Sequence, residues 1–237
     1  MRPRSPKQLH NKRLFLFWDY LHIVTFDLPQ LWPAWLFRGQ QDATWKLTPK
    51  IDRGPFSNFR GMAGGKRHQH ETRVLETFRN WARPYIKAEP RNDWEWLALA
   101  QHYGLATRLL DWTANPLAAL FFAIEGSSNG NNSAVWCYAH KGKSAQLNSD
   151  PFKIKGIVHF EPPHMSERIP AQAGSFTVHP SRATWRGTLI KLVIDQKSRT
   201  VFRDQLADLN INRATLFPGL DGAADMVNAS FSHLDEV

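Results

Sequence analysis

Apolar side chains at Val74, Leu75, Phe78, Trp81, Ala82 and Tyr85 follow the three-and-four spacing of an amphipathic helix, which predicts one over residues 68–87. On that helix Glu71 and Arg79 fall on the wet side. DWEWLALAQHY reads as the next helix, with Asp93 as its N-cap and Gly104 as its C-terminal stop. NPLAALFFAIEG is a third, because Asn115 can cap it and Pro116 takes the first helical position, where a missing N–H costs nothing. Shorter apolar runs bounded by turn residues predict strands at LWPAWLFRG, ending at Gly39, and at TRLLDWT, AVWCYAH, KGIVHFEP, SFTV and GTLIKLVI. WKLTPKI reads as a further extended piece, since Pro49 disfavours helix at the residue before it. RLFLFWDYLHIVTF is apolar enough for either a buried helix or a strand. VFRDQLADLN and PGLDGAADMVNASFSHL are the last predicted helices.

Strands and helices are interspersed without regular alternation or internal repeat. That pattern predicts an α+β fold, one domain with a central mixed or mainly antiparallel sheet flanked by helices. The expected division is a basic segment and lead-in helix over residues 1–29, the domain over 30–228 and a tail over 229–237, with the glycine-rich stretch 54–67 as a mobile loop.

The chain has 237 residues, enough for one large core, and its ten tryptophans predict a bulky interior and an aromatic-lined surface or cleft. Cys137 is the single cysteine and lies in an apolar run, so it reads as a buried core thiol, which fits a cytoplasmic location. No run is long enough for a membrane span, and no membrane contact is expected. A formal charge of +9 attracts polyanions, but Lys and Arg are spread along the chain, so weak, non-specific nucleic-acid binding is the expectation. Paired-cysteine spacing, HExxH, GxxxxGK[ST] and GxSxG are all missing, and no metal is expected; KRHQH at 66–70 reads as a solvated loop.

Two segments concentrate groups that can meet an anionic or amide ligand. Arg38 ends a strand beside Gly39, whose missing side chain lets a ligand approach the backbone, and a guanidinium offers a planar fork to a phosphate or ribose. In AQHYGLATRLLDWT, His102 closes a helix, Thr107 and Arg108 open a strand, and Asp111 and Thr113 end it at a helix N-terminus, a position suited to anions. Arg108 and Asp111 are expected to pair beneath the cleft. They lie three apart on a strand, so the pairing requires a bend or bulge.

At these residues the chain resembles the FRG domain family, named for its Phe-Arg-Gly motif. The likeness is carried by Phe37, Arg38, Gly39 and Gln40, by Trp45, Leu47 and Pro49, by AQHYGLATRLLDWTANPLAALFFA, by RIPAQAGSFTVH and by TLFPGLDG. The motif order is also similar to that of ADP-ribosyltransferases. That resemblance implies that Arg38 and Gly39 hold a nicotinamide and its ribose, with NAD as substrate, that Thr113 braces the strand-to-helix junction, and that Arg168 helps to hold phosphate or ribose. The third element of that pattern is normally a glutamate; here Gln172 stands, which can bond a hydroxyl but carries no charge, while Glu161 and Glu167 lie nearby. His102, Thr113 and Gln172 are the catalytic candidates. Arg38, Gly39, Thr107, Arg108, Asp111 and Arg168 are the ligand-holding ones. Two functions remain open from the residues alone: an NAD-processing, nucleotide-binding enzyme, or a non-catalytic module that contacts nucleic acid or a protein.

Overall fold

The computed structural model describes residues 2–32, 34–59, 64–86, 88–126, 130–141, 143–163, 168–180 and 184–231. In chain order the helices and strands are α1 (Pro6–Leu9), β1 (Lys12–Leu14), α2 (Phe17–His22), α3 (Leu28–Leu31), β2 (Leu36–Gln40), α4 (Gly64–Ala82), α5 (Asp93–His102), β3 (Leu109–Thr113) and α6 (Pro116–Ile124). They continue as β4 (Ser133–His140), β5 (Val158–Phe160), α7 (Arg168–Ala171), β6 (Gly174–Val178), β7 (Gly187–Ile194), α8 (Arg199–Asp208), α9 (Arg213–Leu216) and α10 (Leu220–Phe231). A π-helical turn, Ile23–Asp27, joins α2 to α3.

One sheet, in the order β1-β7-β4-β2-β3-β6-β5, organises the fold. β1 runs parallel to β7 and the other adjacent pairs are antiparallel, so the predicted mixed, mainly antiparallel α+β architecture is the one found. Beyond β4 the chain crosses to the far edge of the sheet. There the Ala145 N–H donates to His159 O (2.7 Å) and the His159 N–H to Lys143 O (3.1 Å), which covers the exposed edge of β5. The His140 ring at the end of β4 and the His159 ring on β5 lie 5.4 Å apart, which requires the sheet to curl between these strands.

Helices cover one face of the sheet in two groups. Over β1, β7, β4 and β2 lie α2, α6 and α8, burying Phe37, Val135, Cys137, Ile190 and Leu192 with Phe17, Leu120 and Phe202. Over β3, β6 and β5 lie α4 and α5, burying Leu109, Phe176, Val178 and Phe160 with Leu75, Trp94 and Leu97. The border between the two groups falls between β2 and β3. On the opposite face Leu110, Trp112 and Tyr138 are covered by Leu47, Trp136 and Trp185.

Some local expectations are corrected. α5 is capped by Asn92, whose side chain accepts the Glu95 N–H, and Asp93 is its first residue, where it pairs with Arg79. The stretch 54–67 is not a loop throughout: Gly54–Phe59 forms 3-10 turns and α4 begins at Gly64, while residues 60–63 lie outside the described ones. WKLTPKI forms no strand and ends in a 3-10 turn at Lys50–Asp52. Glu71 is not on a wet face. It is buried, because residues 151–152 pack over that side of α4, and it binds both Arg67 and Arg108.

Candidate functional site

Backbone alternation fixes which way β3 presents its polar groups. Arg108 O accepts the His179 N–H (3.0 Å) and the Ala114 N–H donates to Ala173 O (3.0 Å), so even-numbered positions face β6 and Leu109, Asp111 and Thr113 face β2. β2 answers with only one residue pair, Phe37↔Thr113, although it pairs with β4 along its whole length. Continuing the register would set Gly39 against Asp111, but the strands part there. In place of a ladder bond, Arg38 Nη1 donates to Asp111 O at 2.7 Å. The split leaves the in-plane N–H and C=O of Gly39 facing the gap, groups that must find a partner in solvent or ligand.

The gap is a cleft of about 280 Å³ lined by Phe37, Arg38, Gly39, Asp111, Trp112, Thr113, Phe122 and Gln172. Arg38, Gly39, Asp111, Thr113 and Gln172, five of the residues singled out in the sequence, therefore meet. The Arg38 side chain is only 15% exposed, and its Nε is buried without a partner. Arg53, which the sequence reading did not single out, is close enough for charge coupling. Burial first, and then Arg38, lower its pKa, while Asp111 opposes the shift.

Gly39 has a different reason from the one expected. A Cβ there would stand 2.2 Å from Ala119 O and 2.5 Å from Ala123 N, so its missing side chain admits the backbone of α6 rather than a ligand. α6 approaches so closely because Ala118, Ala119 and Ala123 are small and fully buried. Asn115 caps its N-terminus, accepting the Leu117 and Ala118 N–H groups. Thr113 Oγ1 accepts the Asn115 N–H (2.9 Å) and donates to Gln172 O (2.5 Å), tying β3 to the turn before β6. Gln172 in turn donates Nε2 to Leu216 O at 2.9 Å. Thr113 and Gln172 thus already serve the fold.

Asp111 is 56% exposed, and its carboxylate accepts from Gln101 Nε2 at 3.1 Å on both oxygens and from Arg38 Nη1 at 3.3 Å. Gln101 is itself fixed, since Thr107 Oγ1 donates to its Oε1 at 2.6 Å while accepting the Leu109 N–H at 3.1 Å. His102, next to Gln101, is not among the lining residues; its ring stands edge-on to Tyr103. Gln101 falls within the predicted helix DWEWLALAQHY, and its sequence signal is its place one turn before Gly104, beside β3.

Arg108 does not pair with Asp111. Arg108 lies just before β3 and runs to Glu71 on α4, donating as well to Pro151 O and Phe152 O, while Asp111 faces Arg38 and Gln101. It is buried, as expected, but supports the fold beneath rather than the cleft. His179 is also buried. Burial, with Arg38 and Arg108 adding to it, pushes its pKa down to about 3, so it is neutral at physiological pH. The side chain of Arg168 and the whole of Glu167 lie outside the described residues, and Glu161, 78% exposed near His159, is not among those lining the cleft.

No group of metal-ligating side chains occurs among the described residues, and no helix among them is long and apolar enough to cross a membrane. Residues 33–132 match the family model of the FRG domain, which supports the FRG family for this segment; RIPAQAGSFTVH and TLFPGLDG lie beyond it. No curated protein and no solved structure matches the chain.

Proposed function

We propose that the cleft between β2 and β3 binds a nucleotide of the NAD class and that the protein processes it, by transfer of ADP-ribose or by hydrolysis. The observation that carries this reading is the split itself: a backbone N–H and C=O at Gly39 open to an amide, beside a guanidinium with an unpartnered Nε and a second arginine, Arg53. A carboxamide presents one donor and one acceptor, which match the pair at Gly39, and phosphate or ribose oxygens suit the arginine fork. Trp112 and Phe122 give the cleft apolar walls for a flat ring. A non-catalytic binding module is the second reading. It is favoured by the engagement of Thr113 and Gln172 within the chain, and in it the basic surface contacts nucleic acid or protein.

Calorimetry with NAD, ADP-ribose and nicotinamide, run on wild type, Arg38→Ala and Arg38→Lys, tests the proposal. Loss of two charge-assisted hydrogen bonds, roughly 1.5–3 kcal/mol each, should weaken binding of the first two about a hundredfold or more in Arg38→Ala. Arg38→Lys keeps the charge but not the fork and should fall between. Thermal melts of all three proteins separate ligand loss from unfolding, which matters because Arg38 is mostly buried. Absence of heat with every ligand for the wild type refutes the reading.

A further inference from the structure

We infer that Asp111 is the reacting carboxylate of this cleft and that Gln101 positions it, an inference that rests on the NAD-processing reading above. Among the described residues, Asp111 supplies the only acidic side chain that lines the cleft. Its carboxylate is neither buried in a neutralising pair nor left free to rotate. Gln101 Nε2 sits 3.1 Å from both of its oxygens, and Arg38 Nη1 reaches one oxygen and the backbone carbonyl of the same residue. The amide of Gln101 can face only one way. The Asp111 carboxylate can only accept, so Nε2 must face it and Oε1 is left to accept the Thr107 Oγ1 proton. A carboxylate held from two sides, half open to solvent and aimed along a split between strands, is the preorganised negative charge that a developing cation requires.

The position that sequence similarity would give to a glutamate holds Gln172, whose side-chain Nε2 is turned to Leu216 O and whose backbone carbonyl accepts from Thr113 Oγ1. Asp111 reaches the same cleft from β3 and can provide the charge that Gln172 lacks. In the reaction, the bond between the ribose C1′ and the nicotinamide nitrogen breaks, and its electron pair leaves with neutral nicotinamide. Positive charge develops on the ribose opposite Asp111. The oxygen of water, or of an acceptor hydroxyl, forms the new bond to C1′, and its proton passes to the carboxylate and then to solvent. Nothing is oxidised or reduced, and the products are nicotinamide, an ADP-ribosyl–oxygen compound and one proton.

The test measures nicotinamide release from NAD and, separately, ADP-ribose binding by calorimetry, on wild type, Asp111→Asn, Gln101→Ala and Glu161→Gln. Asp111→Asn should lower release by a hundredfold or more while ADP-ribose affinity changes less than about threefold, because the loss of one preorganised charge acts chiefly on the transition state. Gln101→Ala should lower kcat about tenfold with KM little changed, the split expected of a positioning residue. Glu161→Gln should leave the rate unaltered. Wild type that releases nicotinamide alongside an Asp111→Asn variant within threefold of it overturns the inference and leaves the cleft reading standing. Wild type that binds ADP-ribose but releases no nicotinamide overturns the inference and the catalytic half of that reading. Failure to bind any of the ligands overturns both.

Discussion

Glu71→Gln tests the part of the fold that carries the cleft from below. The Glu71 carboxylate is 3% exposed and accepts from Arg67 Nε at 3.3 Å, from Arg108 Nε at 3.1 Å and from Arg108 Nη2. Arg67 has a second anionic partner in Asp52, whereas Arg108, 2% exposed, has among the described residues the carbonyls of Pro151 and Phe152 and the Phe152 ring, but no anion besides Glu71. The amide has nearly the same volume, so no cavity forms. What changes is that a buried guanidinium loses its countercharge and meets an NH2 in place of one oxygen. Breaking a buried pair from one side costs about 3–5 kcal/mol, and at about 2–4 °C per kcal/mol for a chain of this size the melting temperature should fall by roughly 6–20 °C. The assay is thermal unfolding followed by circular dichroism at neutral pH, with a urea titration as a check. Glu71→Leu combined with Arg108→Met should recover much of the loss, because it removes both buried charges together. A fall below about 2 °C for Glu71→Gln would refute the claim that this pair secures α4 to β3.

Gly39→Ala should lower stability by about 3 kcal/mol or more even without ligand, since the new methyl meets helix backbone at 2.2 Å and 2.5 Å rather than a side chain that can swing away; an unchanged urea midpoint would refute this. His179 makes stability depend on pH. Its folded pKa of about 3 lies below the unfolded value near 6.5, so the unfolded chain binds the extra proton between them. The contribution, on the order of 5 kcal/mol, is fully present above pH 6.5 and is lost as pH falls toward 3. Urea midpoints at pH 7 and pH 5 should therefore differ less in His179→Gln than in wild type, and equal slopes would refute the assignment.

The sequence by itself determined what depends on neighbours along the chain. α6 was legible because its cap, its first-position proline and its apolar stripe all lie within ten residues, and β7 because a short apolar run broken only by Lys191 is rich in β-branched residues. The gathering of Arg38, Gly39, Asp111 and Thr113 was legible too, since strand ends beside helix termini collect polar groups in many folds. Tertiary structure alone decided the roles. Whether Glu71 faces water depends on a loop eighty residues away that packs over α4, and helical periodicity marks a polar face without saying what covers it. The partner of Arg108 was a choice between a carboxylate near in sequence, Asp111, and a distant one on a helix, Glu71, and only packing brings the second within reach. Gly39 looked like an opening for ligand because sequence shows that a side chain is missing, not what fills its place. The position of α6 shows that the space holds helix backbone, and that the cleft exists because β2 and β3 share a single pair before they part.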